Sequence, residues 1–142
     1  MKLSRLLLPM LIFVTIPGFS QTPIDKYAGT WDGAVCYRSP DPAMGAIPRF
    51  IQLKIDANGR VIFGNHAPAM AALDASNRLV VEFLTGGFRE RFNLGVESGG
   101  SRLTGTLTSA ESENQAARGD VILYPVTDPL DDFRKEHSNI CQ

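Results

Sequence analysis

Apolar and polar residues alternate in short runs that are broken by turn-forming residues, and little else in the chain is periodic. Such alternation sends successive side chains to opposite sides of an extended backbone, so each run makes a strand with one dry and one wet face. In 29–38, Trp31, Val35 and Tyr37 share one parity, and Asp32 and Arg38 hold the other. Ile51, Leu53 and Ile55 oppose Gln52 and Lys54. Leu79, Val81 and Phe83 are in phase, and Phe88, Phe92, Leu94 and Val96 oppose Arg89, Arg91 and Asn93. Leu103 and Leu107 flank Gly105, and 120–126 ends the series.

The breaks are equally regular. Asp56-Ala57-Asn58-Gly59, Asp74-Ala75-Ser76-Asn77, Gly86-Gly87 and Ser98-Gly99-Gly100-Ser101 supply residues that tolerate positive φ and close hairpins. Prolines exclude 39–46 from a central strand, and 109–118 is polar enough for a loop or hairpin tip. The alanine-rich stretch 65–72 has no readable period. Near the end, Thr127 or Asp128 can cap a short helix. Pro129 suits its first turn, Asp131 and Asp132 favour its positive end, and Arg134 and Lys135 the other.

One-faced strands joined by short turns must curl up or stack to bury their apolar sides. Sequential hairpins favour a meander, and closure removes exposed edges. The expected fold is an all-β, antiparallel up-and-down barrel of seven or eight strands, with a short C-terminal helix, as one domain over 21–142.

Residues 1–20 are expected to be a secretory signal peptide. Lys2 and Arg5 precede the apolar run 6–16, and Gly18 and Ser20 occupy the small-residue positions before a cut after Ser20. The run is shorter than the roughly 20 residues that cross a membrane, so no transmembrane segment is expected in the mature chain. Export implies periplasm or extracellular space. There, Cys36 and Cys141, the two cysteines of the chain, are expected to join and fasten the tail to the body. A redox role would want closer spacing, such as Cys-x-x-Cys.

Without Lys2 and Arg5 the chain carries 12 basic and 15 acidic side chains, and the basic ones are scattered. That balance argues against nucleic acid as a partner. No nucleophile elbow, zinc-protease motif or phosphate-cradling glycine loop is present, so neither an enzyme nor a cofactor is expected. His66 and His137 read as surface residues, with no metal site. Glu90 breaks the pattern, since its parity places a carboxylate among Phe88, Phe92 and Leu94. Either it is a polar anchor near a barrel mouth, paired with Arg49 or Tyr37, or it is solvated at the rim beside Gly86-Gly87.

Asp25-Lys26-Tyr27-Ala28-Gly29-Thr30-Trp31 resembles the opening of the lipocalins and their calycin relatives, where an aromatic turn leads into Gly-x-Trp at the first barrel strand. The rhythm of Gly29-Thr30-Trp31-Asp32-Gly33, Asp56-Ala57-Asn58-Gly59 and Leu103-Thr104-Gly105-Thr106-Leu107 is similar to small bacterial lipocalin-like domains. The resemblance implies that Gly29 lets the chain pass close to the barrel floor. It implies too that Trp31 plugs that floor, with a late cation, Arg118 or Arg134, over the indole. It departs from true lipocalins in lacking a Thr-Asp-Tyr pattern, since Thr127-Asp128-Pro129 follows the last strand.

Two functions are expected from this reading. In the first, a monomeric non-catalytic protein holds a small apolar or amphipathic molecule inside the barrel, lined by Val35, Tyr37, Leu53, Val81, Glu90 and Phe92. In the second, an inhibitor or interaction module acts through 39–46, 109–118 or the arm before Tyr27 on an exported hydrolase such as a lysozyme or protease.

Overall fold

The structure, a computed structural model, describes residues 23–38, 42–110, 116–126 and 133–142. A 3-10 turn, Pro23–Tyr27, leads into β1 (Gly29–Arg38). A second, Pro42–Met44, precedes β2 (Ala46–Ile55) and β3 (Arg60–Phe63). Two-residue strands follow, β4 (Ala69–Met70) and β5 (Ala72–Leu73). Then come β6 (Leu79–Thr85), β7 (Phe88–Val96), β8 (Leu103–Ala110) and β9 (Ala116–Pro125), and the helix α1 (Phe133–Glu136). The expected signal peptide, 1–20, and the residues expected to start the C-terminal helix, 127–132, lie outside the described residues.

All pairings are antiparallel, in the order β4-β3-β2-β1-β9-β8-β7-β6-β5. The strands at the two ends of that order, β4 and β5, are separated in the chain by Ala71 alone. One residue cannot span a flat nine-stranded sheet, so the sheet curls until its edges meet and a nearly closed barrel results. The expected all-β meander is therefore found, with nine strands where seven or eight were expected. The additional pair comes from the alanine-rich stretch, because strands of two residues leave no period to read.

Inward residues of every long strand merge into one core: Trp31, Val35, Leu53, Val61, Leu79, Val81, Phe83, Phe92, Leu94, Leu107 and Leu123 are among its buried members. The floor is closed by Tyr27, whose one hydroxyl proton is shared between Asn77 O (2.8 Å) and Leu94 O (3.2 Å). Trp31 packs beside it and donates from Nε1 to Tyr27 O at 2.9 Å. Gly29 takes φ +136°, a conformation that a side chain would resist. Arg134, one of the two cations suggested for the indole, instead lies over Phe50 (5.7 Å).

Two floor turns repeat one device. Asp56 Oδ1 accepts the N–H of Asn58 and of Arg60, and Asp74 Oδ1 accepts those of Ser76 and Arg78. Gly59 and Asn77 supply the positive φ that each turn needs.

β1 departs from its alternating sequence, because Trp31 through Cys36 are buried on both faces. The C-terminal segment covers the outer face: Cys36 is bonded to Cys141, and Phe133 packs near Tyr124. Asp32, read as solvent-facing, is buried there and accepts a hydrogen bond from Gln52 Nε2 at 2.8 Å. The expected cysteine pairing is present.

Candidate functional site

The end opposite the floor, the mouth, carries the β1–β2, β6–β7 and β8–β9 connections. Strand parity drives Glu90 inward here, between Phe83 on β6 and Ser109 on β8. Its side chain is 9% exposed, and it is triply held: Arg49 Nη1 at 2.7 Å, His66 Nε2 at 3.0 Å, and the Ser109 hydroxyl at 3.3 Å. A buried carboxylate needs partners of this kind to repay its desolvation. Of the two alternatives for Glu90, the paired one is found, with Arg49 as the partner. Burial works against the guanidinium's charge, but the bond to Glu90, helped by the nearby Tyr37 side chain, outweighs it and holds the Arg49 pKa above the usual value.

His66 corrects the sequence reading, which left it on the surface. The turn closed by His66 N–H to Phe63 O (3.1 Å), with Gly64 at φ +51°, folds the imidazole back over the mouth. The ring stacks on Phe63 (centroids 4.9 Å apart) and meets Thr85 Oγ1 through Nδ1 at 2.6 Å. Phe63, Phe83 and Phe92 support it from below, with edge contacts from Phe92 to the other two. A turn residue has no periodicity, so no pattern in the sequence pointed to this position. His137 is half-buried, stacked on Phe133 at 4.1 Å.

The remaining residues expected to line a ligand site divide sharply. Val35, Leu53, Val81 and Phe92 are 0–1% exposed and belong to the contiguous core, and Tyr37 packs against it. A cleft lies beside that core. β2 is paired to β1 along its whole length, whereas β3 pairs only with Leu53–Ile55. Within the upper part of β2, Arg49, Phe50, Ile51 and Gln52 therefore border a slot in the barrel wall whose other side is formed by Gly64, Asn65, His66 and Thr85. The slot opens into a cleft of about 570 Å³. Phe50, Ile51, Ile62 and Phe63 supply its apolar lining. Among the described residues its ionisable side chains are Arg49, Lys54 and His66.

Around the mouth, Met44, Ile47, Leu84 and Phe88 are 45–68% exposed. No local pattern singles them out, because Ile47 and Phe88 keep inward parity and are exposed only by standing above the barrel's top. Among the described residues no three His, Cys, Asp or Glu side chains are grouped to hold a metal ion. No helix there is long and apolar enough to cross a membrane. The chain matches no family model, no curated protein and no solved structure.

Proposed function

We propose that this chain is an exported interaction module that docks on another exported protein, a hydrolase such as a lysozyme or protease, through the mouth of its barrel. The observation that carries this reading is the exposed apolar rim of Met44, on the β1–β2 connection, with Ile47, Leu84 and Phe88 at the strand ends beside the mouth. Exposed apolar groups on a rigid scaffold are the usual currency of protein recognition, and a stapled barrel holds them in place before binding. The core residues along the axis fill the space that an internal ligand would need.

The test is inhibition of a panel of exported hydrolases, including lysozyme clearing of cell walls, by the wild-type chain and by Ile47→Asp/Leu84→Asp. The wild type is expected to slow one member of the panel, and the variant to lose that effect at unchanged Tm. Equal behaviour of the two proteins across the panel overturns the reading.

A second reading keeps a small amphipathic ligand but moves it from the axis to the wall cleft. The cleft's apolar lining and its volume, within the usual range of ligand pockets, favour it. Native mass spectrometry of the purified chain would reveal a co-purified molecule lost in Ile62→Asp, whose side chain lies in the cleft.

A further inference from the structure

A threonine hydroxyl, an imidazole and a buried carboxylate are bonded in series beside the mouth. Thr85, the last residue of β6, is exposed, and its Oγ1 lies 2.6 Å from His66 Nδ1. His66 Nε2 lies 3.0 Å from Glu90 Oε2, while Glu90 Oε1 accepts from Arg49 (2.7 Å) and Ser109 (3.3 Å). A carboxylate can only accept, so Nε2 carries a proton, and in the neutral imidazole Nδ1 is then the acceptor. The Thr85 hydroxyl therefore donates to Nδ1. Stacking on Phe63 fixes the ring, and Arg49 and Ser109 fix the acid behind it. A nucleophile, a base and a group that orients the base need this order of bonds.

Thr85 and His66 line the cleft of about 570 Å³ together with Phe50, Ile51, Ile62 and Phe63. After Thr85 the chain turns through Gly86 and Gly87 at φ +57° and +90°, and a Cβ on either would meet nothing within 4 Å. The hydroxyl is thus open to solvent on one side and to an apolar lining on the other. We infer that the cleft hydrolyses carboxylic esters of short apolar acyl chains, with Thr85 as nucleophile, His66 as general base and Glu90 as positioning residue. Thr85 Oγ1 bonds to the carbonyl carbon while its proton passes to His66 Nδ1. The ester C–O bond breaks and the leaving alkoxide takes that proton. Water, deprotonated in turn by His66, releases the acid and restores the hydroxyl, so ester and water become acid and alcohol. Arg49 lines the same cleft and keeps N–H groups beyond the one given to Glu90, which places a cation at hand for the developing oxyanion. This activity is separate from rim docking, which uses other side chains.

The purified full chain, treated with an alkyl fluorophosphonate and digested for mass spectrometry, provides the test, with p-nitrophenyl butyrate hydrolysis followed in parallel. The expected adduct is a single phosphonyl group on Thr85 Oγ1, formed as fluoride leaves and the proton passes to His66. Thr85→Val, near-isosteric at an exposed position, should lose the adduct, and Thr85→Ser should recover it. His66→Phe keeps a ring against Phe63 and should lower kcat/KM by about a hundredfold or more. Glu90→Gln should lower kcat with KM little changed, a split that a purely structural role would not produce. An adduct on any other residue overturns the inference. So does hydrolysis no faster than by free imidazole, which would leave a polar network that only closes the mouth. Equal turnover by Thr85→Val and the wild type overturns it too, since the imidazole would then act alone.

Discussion

Removing the staple between Cys36 and Cys141 gives the most quantitative check on how this barrel is held. The two cysteines are 105 residues apart, so the bridge closes nearly the whole domain into a loop. In the chain-entropy treatment a loop of that length removes about 16 cal/mol/K from the unfolded ensemble, or about 4.8 kcal/mol at 25 °C. A domain of about 120 residues has an unfolding entropy of about 0.25 kcal/mol/K near its midpoint, so the loss corresponds to about 19 °C in Tm. The perturbation is Cys36→Ala/Cys141→Ala, and the assay is reversible thermal unfolding followed by circular dichroism. Hydrogen exchange on β1 would show in parallel whether the tail still covers Ala34 and Cys36. A fall of less than about 5 °C would refute the reasoning, since restricting the unfolded chain would then not be how the bridge stabilises. A large fall with β1 still protected would support it, because the native packing would be intact and only the unfolded state released.

Four other outcomes follow from particular contacts. Tyr27→Phe removes the hydroxyl proton shared by Asn77 O and Leu94 O at the floor and should cost about 1–2 kcal/mol in urea denaturation at pH 7. Burial holds the Tyr27 phenol above its usual 10, so its contribution is complete below pH 10 and is lost as pH rises through the folded value. The wild type should therefore lose stability toward pH 11 more steeply than Tyr27→Phe. Gly119→Ala places a Cβ 2.4 Å from Val35 Cγ1, and overpacking of that kind should cost about 1–3 kcal/mol by the same measurement. Glu90→Leu strips Arg49 and His66 of their shared partner and should cost about 1–3 kcal/mol, kept low because Arg49 is about half exposed.

The parts of the fold that could be read in advance are those where one side chain after another obeys the same rule. β1, β6 and β7 announced their inward faces through Val35, Val81 and Phe92. The turn at Asp56 announced its carboxylate and its glycine. Glu90 was legible as an inward acid because parity is a property of the backbone, and Arg49 was already one of its two suggested partners. What escaped the reading was set by contacts distant in sequence. Asp32 sits under a tail whose covering position no local pattern encodes. β4 and β5 are too short for alternation. His66 belongs to a turn whose direction depends on its contacts with Phe63 and with Thr85 across the barrel. The wall slot is a consequence of unequal strand lengths, visible only once β2 and β3 are laid side by side.

The position of the seam has its own consequence. The sheet begins and ends in the middle of the chain, on either side of Ala71, while the first and last long strands, β1 and β9, lie together at its centre. A protease that nicked the backbone at Ala71 would thus spare every ladder of the cylinder. The two pieces would stay clasped by the β1–β9 pairing and covalently tied through Cys36 and Cys141, and would migrate apart only under reducing, denaturing conditions.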